Sequence, residues 1–232
     1  MENSKIKEAA RAQTRGNIIT LFLNMLLWGL MLSALLVVPI VFLQAQIANI
    51  YLAIAAISSL VLIIMLLIGG IMEFSMAANQ NRMFNRESAT IAAGFSGFKR
   101  PGSSIGTYFM KNLYLFLWAL IPIAGLVIVF IKVYSYACAI YIVQEDNEET
   151  PVSAITKSKQ MMDGRKLQMF RLDLYYGLVW YLLGIFTLGV AWVWGIPRHM
   201  QARYNLYKSA STNRERQVTG VKEEVAAPTK YY

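Results

Sequence analysis

Residues 16–72 contain no Lys, Arg, Asp or Glu, and no other feature of the chain restricts its fold as much. A soluble domain carries roughly a quarter charged residues, and an uncharged run of this length exceeds what a water-soluble core of this size can hide. A lipid bilayer accommodates it, because a helix of about 20 apolar residues spans a hydrocarbon core of roughly 30 Å. Two such lengths fit between Arg15 and Glu73, and the chain reads as helices over about 17–43 and 50–78, the second running on past Glu73, joined by the uncharged connector "LQAQIAN" (43–49). The rest of the composition agrees: 56% of the residues are hydrophobic, 15% are charged, and the mean hydropathy is +0.44.

The first apolar run, Ile18 to Leu43, exceeds the roughly 7–15 residues of a signal-peptide core, so it reads as a retained helix. Ahead of it, "MENSKIKEAARAQTRG" alternates acid and base in good helix formers, which predicts a short amphipathic surface helix over 1–16. The linker 79–103 holds "GFSGFKRPGSS", whose Gly, Pro and Ser residues predict a loop.

The stretch 113–143 is almost uncharged. As one helix it would measure about 46 Å, too long for a single upright crossing. "IPIAG" (121–125) sits within it, and a proline removes a backbone donor and clashes with the preceding turn, so a helical hairpin breaking near Pro122 is expected. The last apolar run, 174–197, fits one span, but "TLG" (187–189) offers a second break, with legs over 167–186 and 189–208.

Charge placement chooses between four and six crossings. Cytoplasmic loops are enriched in Lys and Arg. With six crossings the three outer turns, "LQAQIAN", "IPIAG" and "TLG", carry no basic residue, and nearly all of the 22 Lys and Arg face inward. With four, segment 132–173 would lie outside with Lys132, Lys157, Lys159, Arg165, Lys166 and Arg171. The expectation is therefore an all-α, polytopic helical membrane protein, with six transmembrane helices as three hairpins and both termini inside; four helices are the alternative. A loose repeat supports three units: Gly16 to Trp28, Gly106 to Trp118 and Gly164 to Trp180. The transmembrane domain would cover 17–208, followed by a polar, aperiodic tail, 209–232, expected to be disordered.

Ionisable residues inside a bilayer are expensive and mark functional candidates. Lys132 would lie about 10–15 Å from its outer turn, with Glu73 or Asp173 as potential counter-ions. Arg198 is the fourth candidate, at membrane depth if the last hairpin forms. On the inner face, "PVSAITKSKQMMDGRKLQMF" (151–170) interleaves apolar residues with Lys157, Lys159, Arg165 and Lys166, which suits an amphipathic helix contacting anionic lipids or a partner. The five tryptophans read as interface anchors. The small residues of "GLMLSA" (29–34), "AIAAISS" (53–59) and "IGG" (68–70) permit close helix approach, within the chain or between copies.

Catalysis has little material. One His and one Cys leave no metal-ligand cluster and no nucleophilic triad; no phosphate-binding loop is present. No cofactor or metal is expected. A formal charge of +9 is accounted for by residues flanking apolar segments, so lipid head groups, and not nucleic acid, are the expected partners. His199 reads as interfacial, the acidic run "EDNEET" (145–150) as a solvated turn, and Cys138 as a small buried residue.

Several strings carry a resemblance: "LW" before a Pro/Gly break, "YSYACAIYIV" followed by an acidic residue, "AITKSKQMMDG", "FRLDL", "LLGIFTLGVAWVWGIP", and the N-terminal "KEAARAQTRGN". Over nearly its whole length the chain resembles the bacterial integral membrane proteins grouped as domain of unknown function 975. It departs from that pattern at "PIAG", where Pro-Gly is expected, and at Arg198, where a tyrosine is expected. The resemblance implies a multi-pass plasma-membrane protein without an established activity. The expected function is thus an accessory, envelope-homeostasis or regulatory membrane protein that is not an enzyme, with a membrane-protein partner or a second copy as candidate associates. A small transporter or permease subunit with Lys132 in its pathway is the alternative.

Overall fold

In the computed structural model, which describes residues 2–46, 50–121 and 124–226, the described residues form helices joined by turns and short coil segments, with no strand among them. The elements are α1 (Asn3–Thr14), α2 (Ile18–Gln46), α3 (Ile50–Phe84), a 3-10 helix (Ala93–Lys99), α4 (Pro101–Ala119), α5 (Ala124–Ser135), α6 (Ala139–Glu145), α7 (Pro151–Met161), α8 (Lys166–Phe186) and α9 (Trp192–Ala226). Residues 47–49 of the first connector, and Pro122 with Ile123 in the second, lie outside the described residues.

Three antiparallel hairpins, α2 with α3, α4 with α5 and α8 with α9, form at the expected breaks. Among the described residues, four stretches are long and apolar enough to cross a membrane: Ile18–Leu35, Ile54–Phe84, Val127–Glu145 and Lys166–Phe186. Neither α4 nor α9 is among them. Lys111 and Asn112 interrupt α4, and α9 carries Arg198, His199 and Arg203 within its first dozen residues.

Glycines set how closely the helices approach. A Cβ on Gly70 would stand 2.7 Å from the Ser104 carbonyl oxygen, so α4 crosses α3 directly over the "IGG" step. This is the intrachain use of small residues; Gly29, by contrast, faces open space. In the last hairpin, a Cβ on Gly184 would lie 1.8 Å from Trp192 Nε1, and one on Gly195 would lie 2.8 Å from the Trp180 ring. Each glycine receives the opposite helix's indole.

The core collects at the end of the bundle away from the hairpin turns. Ile6 and Ala10 of α1, Tyr136 to Val143 around α6, Ala154 and Ile155 of α7, Met169 and Leu172 of α8, and Ala202, Tyr204 and Leu206 of α9 are all buried together. The apolar face of α1 is covered by protein. Its stripe of Ile6, Ala10 and Thr14, spaced four residues apart on one helical face, packs along α9.

The expected loop 79–103 is largely structured. α3 continues to Phe84, and the following segment folds back along it. Asn79 exchanges two hydrogen bonds with the Thr90 backbone (3.0 and 3.2 Å), Gly97 N–H donates to Ser75 Oγ (2.8 Å), and Trp28 Nε1 donates to the Gly94 carbonyl (2.8 Å). Trp28 is 1% exposed and stacks on Phe95 and Phe98, so it locks this linker and is not an interface anchor.

Two further expectations change. The apolar face of α7 meets α4 and α6, and Ala154, Ile155 and Met161 are buried against protein where inner-leaflet lipid was expected. α7 is capped by the Thr150 hydroxyl, which accepts from Ser153 N–H, with Pro151 at its first position. The tail expected to be disordered is helical through Ala226 as the continuation of α9; residues 227–232 lie outside the described set.

Candidate functional site

The uncharged turns put the ionisable side chains of the hairpins toward the other end of the bundle, where helices of different hairpins bring them together. Burying a charge is costly unless it is paired, and the pairs identify which residues the fold neutralises.

Glu73 on α3 meets Lys111 on α4, with Nζ 2.7 and 2.6 Å from the two carboxylate oxygens. Asp173 on α8 meets His199 on α9, Oδ1 to Nε2 at 2.7 Å, and Arg203 one turn further along, at 3.6 Å. The His199 ring also stacks on Tyr176, with centroids 5.2 Å apart. A carboxylate that fixes a histidine ring is the orienting half of an acid–base arrangement; here its second contact is the Arg203 guanidinium, so the carboxylate is shared with a cation on the neighbouring helix.

Lys132 therefore takes neither of the counter-ions expected for it. Its Nζ lies 4.6 Å from the centroid of Trp118 across the α4–α5 hairpin, and Trp118 Nε1 donates to the Tyr136 hydroxyl (3.2 Å). A cation over an indole face is held by the ring quadrupole. Arg198 likewise sits over an indole, Trp180, at 5.4 Å, turned away from the Asp173 group despite its adjacency to His199 in sequence.

Two clusters were not expected from the sequence. The first closes around Glu145 at the end of α6. This carboxylate accepts from the hydroxyls of Tyr204 and of Tyr207 (3.0 Å), and pairs with Lys208 Nζ (2.7 Å). Lys208 lies 5.7–5.8 Å from the ring centroids of Phe84, Tyr204 and Tyr207. The second joins α1, α3 and α9 through amides. Gln201 Nε2 donates to Gln13 Oε1 (3.1 Å) and to the Gln80 carbonyl (3.2 Å), and Asn205 Nδ2 donates to the same Gln13 oxygen (2.8 Å). Gln201 is 0% exposed; these bonds satisfy its Nε2, while its Oε1 has no hydrogen-bond partner among the described residues. The sequence signal was present in the polar run "ANQNR" at the end of α3, but its partners come from the two ends of the chain.

The inner-face basic residues are less uniform than expected. Lys157 pairs with Glu149, whose side chain is only 4% exposed, so part of the acidic run is a buried contact and not a solvated turn. Arg165 reaches Ser209 Oγ at 3.4 Å, Lys166 lies 3.9 Å from Asp163, and Lys159 is exposed. Among the described residues no three His, Cys, Asp or Glu side chains stand together as a metal site. The cleft between α2, α3 and α9, lined by Trp28, Met76, Met83 and Met200 among others, measures about 20 Å³, room for a single water.

Residues 127–214 match a family described as a protein of unknown function, DUF975. The match covers the "YSYACAIYIV", "AITKSKQMMDG", "FRLDL" and "LLGIFTLGVAWVWGIP" strings and begins after the first two hairpin turns, so "KEAARAQTRGN" and the Trp118–Pro122 step lie outside it. No curated protein and no solved structure matches the chain.

Proposed function

We infer, taking as premise that the chain belongs to the DUF975 family through residues 127–214, that it is an accessory or regulatory plasma-membrane protein and not an enzyme. In this reading all three hairpins enter the bilayer from the cytoplasmic side, giving six membrane-embedded legs with both termini inside. It acts through lipid and protein contacts on its basic cytoplasmic face.

The observation that carries the reading is the segregation of charge. The turn residues at 46, 50, 120–121 and 187–191 are uncharged, while Lys157, Lys159, Arg165 and Lys166 gather around α7 and the start of α8 at the opposite end. Basic residues next to a bilayer attract anionic lipid at about 1 kcal/mol each. Lys159 is exposed for such contact; Lys157 and Lys166 keep partial exposure beside their carboxylates.

The permease alternative gains less support. Lys132 rests on Trp118 within its own hairpin, which is an anchoring contact.

Purification from native membranes with quantitative lipid and protein analysis tests the proposal. Anionic phospholipid or a reproducible protein partner should be retained above bulk composition, and Lys159→Glu with Arg165→Glu should reduce that retention. Recovery with bulk-composition lipid and no partner would refute it.

A further inference from the structure

We propose that the α8–α9 hairpin does not reach the outer face but occupies only the leaflet on the charged side, with its apex, Phe186–Val190, among the acyl chains of that leaflet. The proposal rests on the cytoplasmic orientation above only for naming the leaflet.

The first support is register. α3 and α9 run side by side in the same direction: the Gln201 side chain donates to the Gln80 carbonyl, Tyr204 packs on Phe84 with centroids 5.9 Å apart, and Met200 and Pro197 line the same space as Met76 and Met83. Trp192, the first residue of α9, thus stands level with residue 71 or 72 of α3. From there α3 continues to Ile50, about 30 Å further at 1.5 Å per residue. Allowing for the turn, the α8–α9 apex stops about 25 Å short of the α2–α3 apex. Since α3 is uncharged from Ile50 to Met72, that stretch fills the hydrocarbon core of roughly 30 Å. The shorter hairpin then ends inside the near leaflet.

The second support is what the apex exposes. Leu188 is 96% exposed, Phe186 84% and Val190 56%, and below them Leu174, Leu178, Leu182 and Ile185 form one exposed stripe along α8. A turn at an aqueous surface would present these to water, whereas acyl chains cover them.

The third support is independent of side-chain polarity. Backbone groups in hydrocarbon must be satisfied internally, and a turn is where this normally fails. Here every N–H from Thr187 to Gly195 has an acceptor within the hairpin. Gly189 N–H reaches the Gly184 carbonyl at 2.6 Å, using its positive φ of 89°; Ala191 N–H is taken by Thr187 Oγ1 at 3.0 Å, and that hydroxyl donates to Leu183 O at 2.7 Å. Every N–H donor of the turn is thus satisfied without water, as a lipid-embedded backbone requires of its donors.

Nitroxide labels at Leu188→Cys and, separately, Phe186→Cys and Leu52→Cys, each in Cys138→Ser full-length protein, provide the test. The labelled proteins are reconstituted in phosphatidylcholine–phosphatidylglycerol vesicles, and collision rates with oxygen and with a nickel chelate are compared. Leu188 and Phe186 should be several-fold more accessible to oxygen than to nickel, and Leu52 should show the nickel access of a site near the far interface. Nickel access at Leu188 equal to that at Leu52 would overturn the proposal, because the apex would then be in water. Exclusion of both agents with spin–spin broadening would also overturn it, because a second copy would be the cover. Inside orientation is read separately at Glu148, so nickel access at Leu188 with a cytoplasmic Glu148 sinks the single-leaflet hairpin alone.

Discussion

Replacing Glu145 by Ala should be among the most destabilising single changes in the chain. Its carboxylate accepts from two phenols, Tyr204 and Tyr207, and pairs with Lys208. Hydrogen bonds to a charged group contribute about 1.5–3 kcal/mol each, and Tyr204, at 0% exposure, has no route to water when its acceptor is removed. The ammonium pair, with side chains 24% and 22% exposed, adds less than a fully buried one. Because these terms overlap, a loss of about 3–4 kcal/mol is expected. For a chain of this length each kcal/mol moves the midpoint by about 2–4 °C, giving a drop of roughly 6–16 °C. Cys138 supplies the assay, since it is the only cysteine and is 0% exposed: a thiol-reactive fluorophore in detergent reports unfolding when that residue becomes accessible. Glu145→Gln, which keeps an acceptor, should lose less than half as much. A shift under 2 °C for Glu145→Ala would refute the reasoning and leave apolar packing alone as what fixes α6 to α9.

Ser158→Ala removes the acceptor of Cys138 N–H (3.1 Å) and the donor to the Ser135 carbonyl (2.8 Å) where α5 passes into α6; about 1–3 kcal/mol should be lost, with faster hydrogen exchange at the Cys138 amide. Gly184→Leu must displace Trp192 and should red-shift tryptophan emission and lower the midpoint, whereas Gly177→Ala, facing open space, should raise stability by about 0.5–1 kcal/mol. Lys132→Met loses only a cation over an indole, about 0.5–1 kcal/mol, so the midpoint should move by less than about 4 °C and the cellular phenotype should not change; loss of function with intact folding would revive the transport reading.

The positions of the hairpin breaks were legible because they are local chemistry. Pro122 lacks a backbone donor, and Thr187 and Gly189 supply a hydroxyl and a positive φ, all readable within a few residues. The stripe of Ile6, Ala10 and Thr14 was equally visible as a helical face, but the sequence does not say whether lipid or α9 covers it. Charge pairing was not legible. Glu73 and Asp173 are the right kind of partner for Lys132, yet which helices lie side by side depends on close approaches such as Gly70 against Ser104 and Gly195 against Trp180. Those contacts give Glu73 to Lys111 and Asp173 to His199. Hairpin depth was hidden for the same reason, since equal hydropathy does not imply equal reach.

The central claim is that the charged end faces the cytoplasm. Glu148 is the position to probe, because it is exposed between α6 and α7 whereas neighbouring Glu149 is buried against Lys157. A Glu148→Cys, Cys138→Ser protein should resist an impermeant maleimide in intact cells and react once the cells are opened. Labelling in intact cells would place the loop outside and contradict the cytoplasmic orientation of the charged end.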